Sequence, residues 1–535
     1  MSTALLVSIF NDVIGPVMRG PSSSHCAAAL RIGRLARDLM DGELEELLVE
    51  FDRQGSLPTT HESQGSDMGL FGGLLGWDAA DERLPGSAGA LIEAGVRVRI
   101  ETVDAGDPHP NTYRLTLRNP RGQHSLIAVS TGGGMMEVIA IDGFHVSLFG
   151  DTYETLIKVK SGGQALANRL TELMTVDAVL LHESVDGQLV EVKAPQFVPD
   201  PILDELRKTT AVVQVRQLAP VLPVLSRKGM KVPFTTCDEM LRHDAGRNTP
   251  LWKLAVAYER DRGNLTETEV LARMVEIVRI LRRSIQQGRA GTHYEDRVLG
   301  PQSGRFDELM RSGRLLDGGA LNRIVLYVSA LMEVKSAMGV IVAAPTAGAC
   351  AALPGAVIAV AEEMGLSEEA MAKALLASGL IGVFIATRWT FAAEVGGCQA
   401  EGGSAAAMAA AGLVTLADGT LPQAVAAASM AFQSMLGLIC DPVASRVEVP
   451  CLGKNVLAAG NALSCANMAL ADFDPVIPFD EVIETAQRVA GQMPRELRCT
   501  ALGGLAITPT SLALEAKLAA NKAAACGEPG CGCAR

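Results

Sequence analysis

Three cysteines in the last third of the chain stand where helical segments are interrupted, and thiolates are good metal ligands. Cys398 follows two glycines, Cys440 precedes an Asp-Pro pair and Cys451 follows a proline, with separations of 42 and 11 residues. Because glycine and proline end helices, side chains from these distant stretches can converge. Three thiolates around a four-iron cluster leave one iron open, and an open iron acts as a Lewis acid on a substrate oxygen.

The spacing alone leaves other interpretations open. The three cysteines are also compatible with a zinc site, although zinc sites usually contain closer Cys-x-x-Cys pairs, or with three buried thiols. The chain has 11 cysteines, and in a cytosolic protein that number argues for metal or redox chemistry over a disulfide framework. We interpret Cys350, Cys465 and Cys499 as buried thiols.

Two polar segments in the first 70 residues combine groups that bind anions or move protons. Segment 20–25, GPSSSH, places three hydroxyls and an imidazole at a turn before a helix predicted over 24–39, which suits a carboxylate or phosphate. Segment 61–67, HESQGSD, places His61 among acidic groups in a polar loop, where a general base can stand. The simpler alternatives are an N-cap serine and a solvated loop in which Asp67 caps the next helix.

A third segment, 344–349 with sequence APTAGA, interrupts an apolar run. Its proline and glycine predict free backbone N–H groups at a helix start, where an anionic group can dock. The alternative is an ordinary turn between two helices.

Six motifs together resemble the iron–sulfur-dependent L-serine dehydratases, or L-serine ammonia-lyases, in a fused single-chain form. They are GPSSSH, AAPTAGA, GGCQAE, CDPV, VEVPC and ALGGLAITPT, and the resemblance covers most of the chain. It implies a lyase of amino-acid catabolism that converts L-serine to ammonia and pyruvate, a precursor for gluconeogenesis, without pyridoxal phosphate. It also implies a [4Fe-4S] cluster held by Cys398, Cys440 and Cys451.

The resemblance further implies a site between domains, with the open iron acting as the Lewis acid. Chelation of serine would make hydroxide a tolerable leaving group and acidify the Cα proton. His61 and His25 are the candidate bases for that proton. The residues expected to orient the substrate are Ser22, Ser23, Ser24, Thr346, Ala347 and Gly348.

Three features of the sequence concern the choice of substrate and the ligand of the open iron. The family's usual loop Gly-His-Gly-Thr-Asp is here SQGSD, so Gln64 replaces a histidine and cannot be a base. Arg446 replaces part of a small, Gly-containing stretch; it either pairs with Glu448 or Glu401 or binds an extra acidic group on the substrate. Some members close the open iron with a C-terminal cysteine, a role available here to Cys526, Cys531 or Cys533.

Two alternative functions follow from these departures. The same chemistry can act on L-threonine, L-cysteine or a 3-hydroxy amino acid with an extra acid group. A different class is a non-catalytic amino-acid sensor with a degenerate cleft.

Periodicity and breaker residues predict a multidomain fold. Residues 1–145 form an N-terminal α+β domain, the β-type domain of the family, with period-two strands at 96–100 and 113–117. Residues 146–219 have the order βαββαβ, a ferredoxin-like module that resembles an ACT-type regulatory domain. After a linker at 220–231, residues 230–525 form a large all-α catalytic domain, followed by a Cys-rich tail at 526–535.

Composition excludes several classes of protein. The net charge of −13 disfavours nucleic acid and anionic membranes as partners. The family resemblance implies a small amino-acid substrate as the partner. Residues 1–10 lack the features of a secretory signal, and the apolar run 374–387 is shorter than the roughly 20 residues that cross a bilayer. We therefore expect a cytoplasmic protein, and by analogy with paired ACT-like modules, a homodimer.

Overall fold

The computed structural model describes residues 6–209 and 212–525, and within them three folded regions follow one another. The first, the N-terminal domain, contains the helices α1 (Ala28–Leu39), α2 (Leu57–Thr60), α3 (Ser66–Leu74) and α4 (Ser87–Glu93). Its strands are β1 (Val17–Met18), β2 (Glu46–Asp52), β3 (Arg97–Val103), β4 (Thr112–Asn119), β5 (Gly122–Gly132), β6 (Met135–Ile141) and β7 (Phe144–Leu148). Six of these strands form one sheet in the order β3-β2-β4-β5-β6-β7.

The sheet buries one face beneath α1 and α3, and the sequence pattern of β4 shows why. Tyr113, Leu115 and Leu117 are buried, whereas Arg114 and Thr116 between them are partly exposed. This period-two alternation gives one apolar face and one hydrated face. The two strands predicted from periodicity, near 96–100 and 113–117, are both present as β3 and β4.

Two glycines allow α1 and α3 to pack with their backbones in contact. A Cβ at Gly33 of α1 would collide with the carbonyl oxygen of Leu70, and one at Gly73 of α3 would collide with that of Leu30. The close approach fixes the loops that enter the two helices. Those loops carry residues 20–25 and 61–67, so the helix pair positions both polar segments.

The middle module has the βαββαβ order that the sequence predicts. Its elements are β8 (Tyr153–Val159), α5 (Gly163–Leu173), β9 (Ala178–Ser184), β10 (Gly187–Ala194), α6 (Asp200–Thr209) and β11 (Val212–Leu218). The sheet order is β11-β8-β10-β9, with all three neighbouring pairs antiparallel. The two helices share one apolar core with one face of this sheet.

A group of buried charges lies on the other face of the module. Lys193 Nζ lies 3.0 Å from Glu154 Oε1 and 3.1 Å from Glu191 Oε1, and Nε2 of His182 lies 2.7 Å from Glu191 Oε2. Burial raises the pKa of Glu154 to about 8, with nearby Asp151 and Glu191 adding to the effect against the attraction of Lys193. One lysine thus serves two buried carboxylates.

Replacing Glu154 by glutamine is expected to protect the protein at alkaline pH. The pKa of Glu154 lies above its ordinary value of 4.5 in the folded chain, at about 8. The unfolded chain therefore releases this proton first, and stability falls as pH rises between these values. Glutamine does not ionise, so the melting temperature of Glu154→Gln should gain on the wild type by about 2 °C or more between pH 5 and pH 8. Parallel curves of melting temperature against pH would contradict this assignment.

The C-terminal region is a helical bundle, as predicted. Its helices are α7 (Cys237–Asp244), α8 (Leu251–Gly263), α9 (Glu267–Ala290), α10 (Ser303–Arg311), α11 (Ala320–Ser336), α12 (Ala352–Glu363), α13 (Glu368–Arg388), α14 (Ala393–Gly396), α15 (Ser404–Leu416), α16 (Leu421–Gln433), α17 (Cys451–Leu470), α18 (Phe479–Gln492) and α19 (Pro509–Ala525). The predicted capping box between Thr266 and Glu269 is formed at the start of α9. The alanine-rich α15 lies at the centre, in contact with α12, α13, α16 and α17.

Helix α13 contains the apolar run that sequence analysis weighed as a membrane span. Among the described residues it is the one helix long and apolar enough to cross a membrane, and 78% of its most apolar 18-residue window is buried inside the protein. Its residues pack against α8, α9 and α15. The helix is therefore part of the core.

The first residues of the chain differ from the expected domain division. Ile9, Phe10 and Val13 belong to the core of the helical region and not to that of the N-terminal domain. Strand β1 pairs antiparallel with β12 (Ile341–Val342), so the region predicted as all-α contains a short strand. The division at residue 145 follows sequence order, whereas the apolar side chains of 9–14 find their buried surface against distant helices.

Candidate functional site

The three cysteines of the predicted metal centre come from separate breaks in the helical bundle. Cys398 lies between α14 and a single wide turn at Gln399–Gly403, Cys440 lies in the loop after α16, and Cys451 is the first residue of α17. Their exposed fractions are 5%, 4% and 6%. Cys398 and Cys451 are thus positioned by helix ends, and Cys440 is positioned by a loop whose backbone pairs with Arg498.

The thiols meet in one place. The Sγ atoms of Cys398 and Cys440 and a carboxylate oxygen of Glu401 lie within 4.8 Å of one another. Cys440 and Cys451 line a small cavity, and Cys499 forms part of the same wall. The predicted metal centre therefore faces this cavity.

The cavity lies between the N-terminal domain and the helical region. Ser22 and Gln64 of the N-terminal domain form part of its wall, opposite Gly348, Glu394 and Glu401 of the helical region. The site is therefore an interdomain cleft, as the family resemblance implied.

The serines of segment 20–25 are bound into a buried hydrogen-bond network around His25. Its Nδ1 lies 3.0 Å from Ser22 Oγ and 3.2 Å from Ser24 Oγ, and its Nε2 lies 2.9 Å from Thr60 Oγ1. Ser24 Oγ donates to Glu394 Oε1 at 2.7 Å. Burial lowers the pKa of His25, partly offset by Glu394, so the neutral imidazole is favoured. Both ring nitrogens are occupied, and His25 is placed to hold the serines and Glu394.

Segment 344–349 joins this network. The backbone N–H of Ala347 donates to Ser23 Oγ at 3.1 Å, and Thr346 Oγ1 donates to Glu401 Oε1 at 2.6 Å. A Cβ at Gly348 would lie 2.7 Å from Glu401 Oε1, so any larger residue here would displace the carboxylate. The structure thus brings the predicted serine and threonine segments together.

His61 lies outside the wall of this cavity. Its Nδ1 is 2.8 Å from Asp67 Oδ1, and its ring packs against Phe51 with the ring centroids 5.2 Å apart. Asp67 lies in the first turn of α3, as expected, but it pairs with His61 and is not the N-cap residue. The imidazole of His61 therefore does not form part of the wall that contains the cysteines.

Two carboxylates of the cavity wall were not assigned a role from the sequence. Burial raises the pKa of Glu401 to about 7, against the opposing hydrogen bond from Thr346. Oε2 of Glu394 is buried and has no hydrogen-bond partner among the described residues. Glu401 lies three residues after Cys398 in the same motif, which was an available clue. Glu394 had no comparable clue, because its partners are more than 300 residues away.

Arg446 has a different partner from those considered in the sequence. Its Nη2 lies 2.5 Å from Asp296 Oδ1, and its Nη1 donates to the carbonyl of Ser63 at 3.4 Å. Glu448 instead accepts from the backbone N–H of Leu299 at 2.9 Å. The expected pairing of Arg446 with Glu448 or Glu401 is therefore wrong, and the guanidinium links the helical region to the loop before α3.

The donor set fits an iron–sulfur cluster. Burial raises the pKa of the Cys451 thiol, and contact with Cys398 raises that of Cys440, so metal binding would have to displace their protons. Lys454 Nζ lies 3.8 Å from Cys398 Sγ and can offset the negative charge of thiolates. The predicted tail ligands Cys526, Cys531 and Cys533 lie outside the described residues.

Comparison with known proteins gives a family for this geometry. A family model described as serine dehydratase alpha chain matches residues 246–506. The "Probable L-serine dehydratase, alpha chain" of Bacillus subtilis is 36% identical over 285 residues, covering 53% of this chain and 95% of that protein. The chain belongs to the L-serine dehydratase family. The resemblance found in the motifs is thereby confirmed.

Two further members show how the family divides its chains. The "Probable L-serine dehydratase, beta chain" of Bacillus subtilis is 36% identical over 218 residues, covering 40% of this chain and 98% of that protein. The "L-serine dehydratase" of Haemophilus influenzae is 26% identical over 519 residues, covering 94% of this chain and 99% of that protein. Alpha-type and beta-type sequences, separate in Bacillus subtilis, are thus joined here in one member of the L-serine dehydratase family.

Proposed function

We propose that the protein converts L-serine to pyruvate and ammonia, using a [4Fe-4S] cluster held by Cys398, Cys440 and Cys451. The observation that carries this proposal is the convergence of three cysteines and two carboxylates on one interdomain cavity. The names of its relatives, which the family comparison gives, support L-serine as the substrate. The cluster, when bound, supplies a Lewis acid that makes the serine hydroxyl a better leaving group.

The residues of the cavity account for the remaining needs of the reaction. Serine brings an α-ammonium group, and the unpartnered Oε2 of Glu394 is placed to accept a hydrogen bond from it. Ser22 and the backbone near Gly348 lie on the wall where the substrate would be oriented. His25 holds Ser22, Ser24 and Glu394 in position without itself facing the substrate.

Glu401 is our candidate for the base that removes the Cα proton. It lies beside the cysteines, and Thr346 Oγ1 fixes the direction of one of its oxygens. Proton removal and loss of hydroxide leave aminoacrylate, and the proton taken by Glu401 can leave with the hydroxide as water. Aminoacrylate then tautomerises to an imine, which water hydrolyses to pyruvate and ammonia. His61, predicted as a base from the sequence, is the alternative that mutagenesis must separate from Glu401.

Replacing Glu394 by glutamine is expected to weaken substrate binding more than it slows the chemical step. A hydrogen bond between two charged groups contributes about 1.5–3 kcal/mol, so KM for L-serine should rise about 10- to 100-fold. Steady-state kinetics with cluster-loaded protein measure this change. A KM that stays at the wild-type value would show that Glu394 does not contact the ammonium group.

The assay of function is release of 2-oxo acid by anaerobically purified protein. We expect iron and acid-labile sulfide at about four of each per chain, and turnover of L-serine. L-Threonine, L-cysteine and a 3-hydroxy amino acid with a second acid group are tested alongside. Preference for one of these would reassign the substrate, bound zinc without sulfide would remove the cluster, and amino-acid binding without any product would indicate a sensor.

We further propose that the middle module is an ACT-like regulatory domain. Its βαββαβ order and the antiparallel order of its four strands support this. Because ACT-like modules often pair, we also propose that the protein is a homodimer. We further propose that it is cytoplasmic and, given its net charge of −13, that it binds no nucleic acid.

A further inference from the structure

Cys499, interpreted from the sequence as a buried thiol, lies in the cavity wall with Cys440 and Cys451. It is 4% exposed, and its thiol is within hydrogen-bonding reach of the thiol of Cys440. The site therefore contains four cysteines, one more than the three that the sequence assigned. The fourth belongs to a loop, residues 495–501, that connects α18 to the last part of the bundle.

The backbone holds Cys499 directly against Cys440. The N–H of Cys440 donates to the carbonyl of Leu497 at 2.9 Å, and the N–H of Cys499 donates to the carbonyl of Cys440 at 3.3 Å. Thr59 Oγ1 donates to the carbonyl of Thr500 at 3.3 Å, which ties the same loop to the N-terminal domain. Contacts on both sides thus determine where the Cys499 side chain points.

Cys499 also has a backbone conformation that a non-glycine residue seldom adopts. Its φ is +49°, and that of nearby Ala501 is +58°. Such conformations cost free energy and persist where the surrounding structure enforces them, often at functional sites. A thiol that only filled space would not need this conformation, since an ordinary loop can supply a small apolar side chain.

The remaining neighbour of Cys499 is the amide of Gln64, whose Nε2 lies 3.6 Å from the sulfur. An amide N–H can donate to a thiolate, and hydrogen bonds to sulfur tune iron–sulfur centres. Gln64 is also the residue that replaces a histidine in the loop 63–67. The replacement and the additional cysteine are therefore in contact.

We propose that Cys499 is the fourth sulfur ligand of the cluster in the resting enzyme and that L-serine displaces it. The proposal rests on the cluster described under the proposed function. The exchange changes no oxidation state, because one electron-pair donor leaves the iron as the substrate's donors arrive. The freed thiolate stays beside the Gln64 amide and returns when the product leaves.

Mössbauer spectra of the anaerobic full-length protein, with and without L-serine, test this proposal. We expect four sulfur-ligated irons in the wild type, and a shift of one iron to oxygen or nitrogen ligation on adding L-serine. Cys499→Ser should show that shifted iron before serine is added. It should also lose one iron on mild ferricyanide oxidation several-fold faster, as followed by the electron paramagnetic resonance of the three-iron product.

Two controls make the result specific. Cys465→Ser changes a buried thiol on α17 that bonds to Asn461 within its own helix, and it should behave as wild type. A triple serine variant of Cys526, Cys531 and Cys533 removes the tail thiols from the full chain, and it should also behave as wild type.

Each other outcome overturns the proposal in a distinct way. If the triple tail variant shows the shifted iron and Cys499→Ser does not, the fourth ligand is in the tail. If the wild type already contains one oxygen- or nitrogen-ligated iron before L-serine is added, that iron has no cysteine ligand in the resting enzyme. If the wild type contains no iron and sulfide, the proposed cofactor itself fails. If Cys499→Ser does not fold, the triple tail variant still separates the two ligands, because it keeps four sulfur-ligated irons only when Cys499 is the fourth ligand.

Discussion

Replacing Cys440 by alanine is expected to remove both the cluster and the activity. The thiol of Cys440 contacts those of both Cys398 and Cys499, so its loss removes the central member of this group of thiols. Iron and sulfide should fall from about four per chain to near zero. Turnover of L-serine should fall by more than about 100-fold, beyond the range typical of residues that only support a ligand.

The matched control for Cys440→Ala is Cys465→Ala. Both remove one buried thiol from the helical region, but Cys465 lies on α17 with its sulfur directed to Asn461. We expect this control to retain iron, sulfide and activity. Full iron and sulfide in Cys440→Ala would show that the cysteines are structural thiols and would remove the electrophile from the proposed reaction.

Replacing Glu401 by glutamine is expected to slow the reaction while leaving the cluster in place. Glutamine keeps the size and the hydrogen bond to Thr346 but cannot accept the Cα proton. General base catalysis contributes about 10²- to 10⁴-fold, and kcat should fall within that range. Iron content, sulfide content and the visible spectrum should match those of the wild type.

Two further variants show whether Glu401 or another group is the base. Glu515→Gln makes the same chemical change on α19, where the carboxylate accepts from Ser445 Oγ at 3.1 Å, and it should leave kcat unchanged. His61→Gln tests the base predicted from the sequence. If His61→Gln loses the solvent exchange of the Cα proton and Glu401→Gln keeps it, the proton belongs to His61.

The parts of the fold that the sequence revealed are those governed by local rules. The strands near 98 and 115 alternate with period two, and α9 begins at a capping box, so short stretches determine them. The three predicted cysteines stand beside glycine or proline, which marks helix ends. The convergence of these cysteines with segments 20–25 and 344–349 was expected through the family resemblance.

What the sequence did not reveal depends on contacts between distant residues. Glu394 reaches Ser24 across 370 positions, and Cys499 reaches Gln64 across 435. No periodicity or spacing encodes such a pair. The partner predicted for Arg446 was wrong for the same reason, since Asp296 is 150 residues away in the sequence. Sequence analysis considered only the neighbouring Glu448 and the motif residue Glu401.

The pairing of β1 with β12 has a consequence for any attempt to divide this polypeptide. If it were cut within 220–231 and the halves were produced apart, the helical half would lack Ile9, Phe10 and Val13 and would expose the groove that they fill. The other half would carry those side chains exposed on its N-terminal segment, and exposed apolar surface on either half would promote aggregation. We expect the halves to be recovered in soluble form only when they are made together, so that the N-terminal segment can pack against the bundle as it folds.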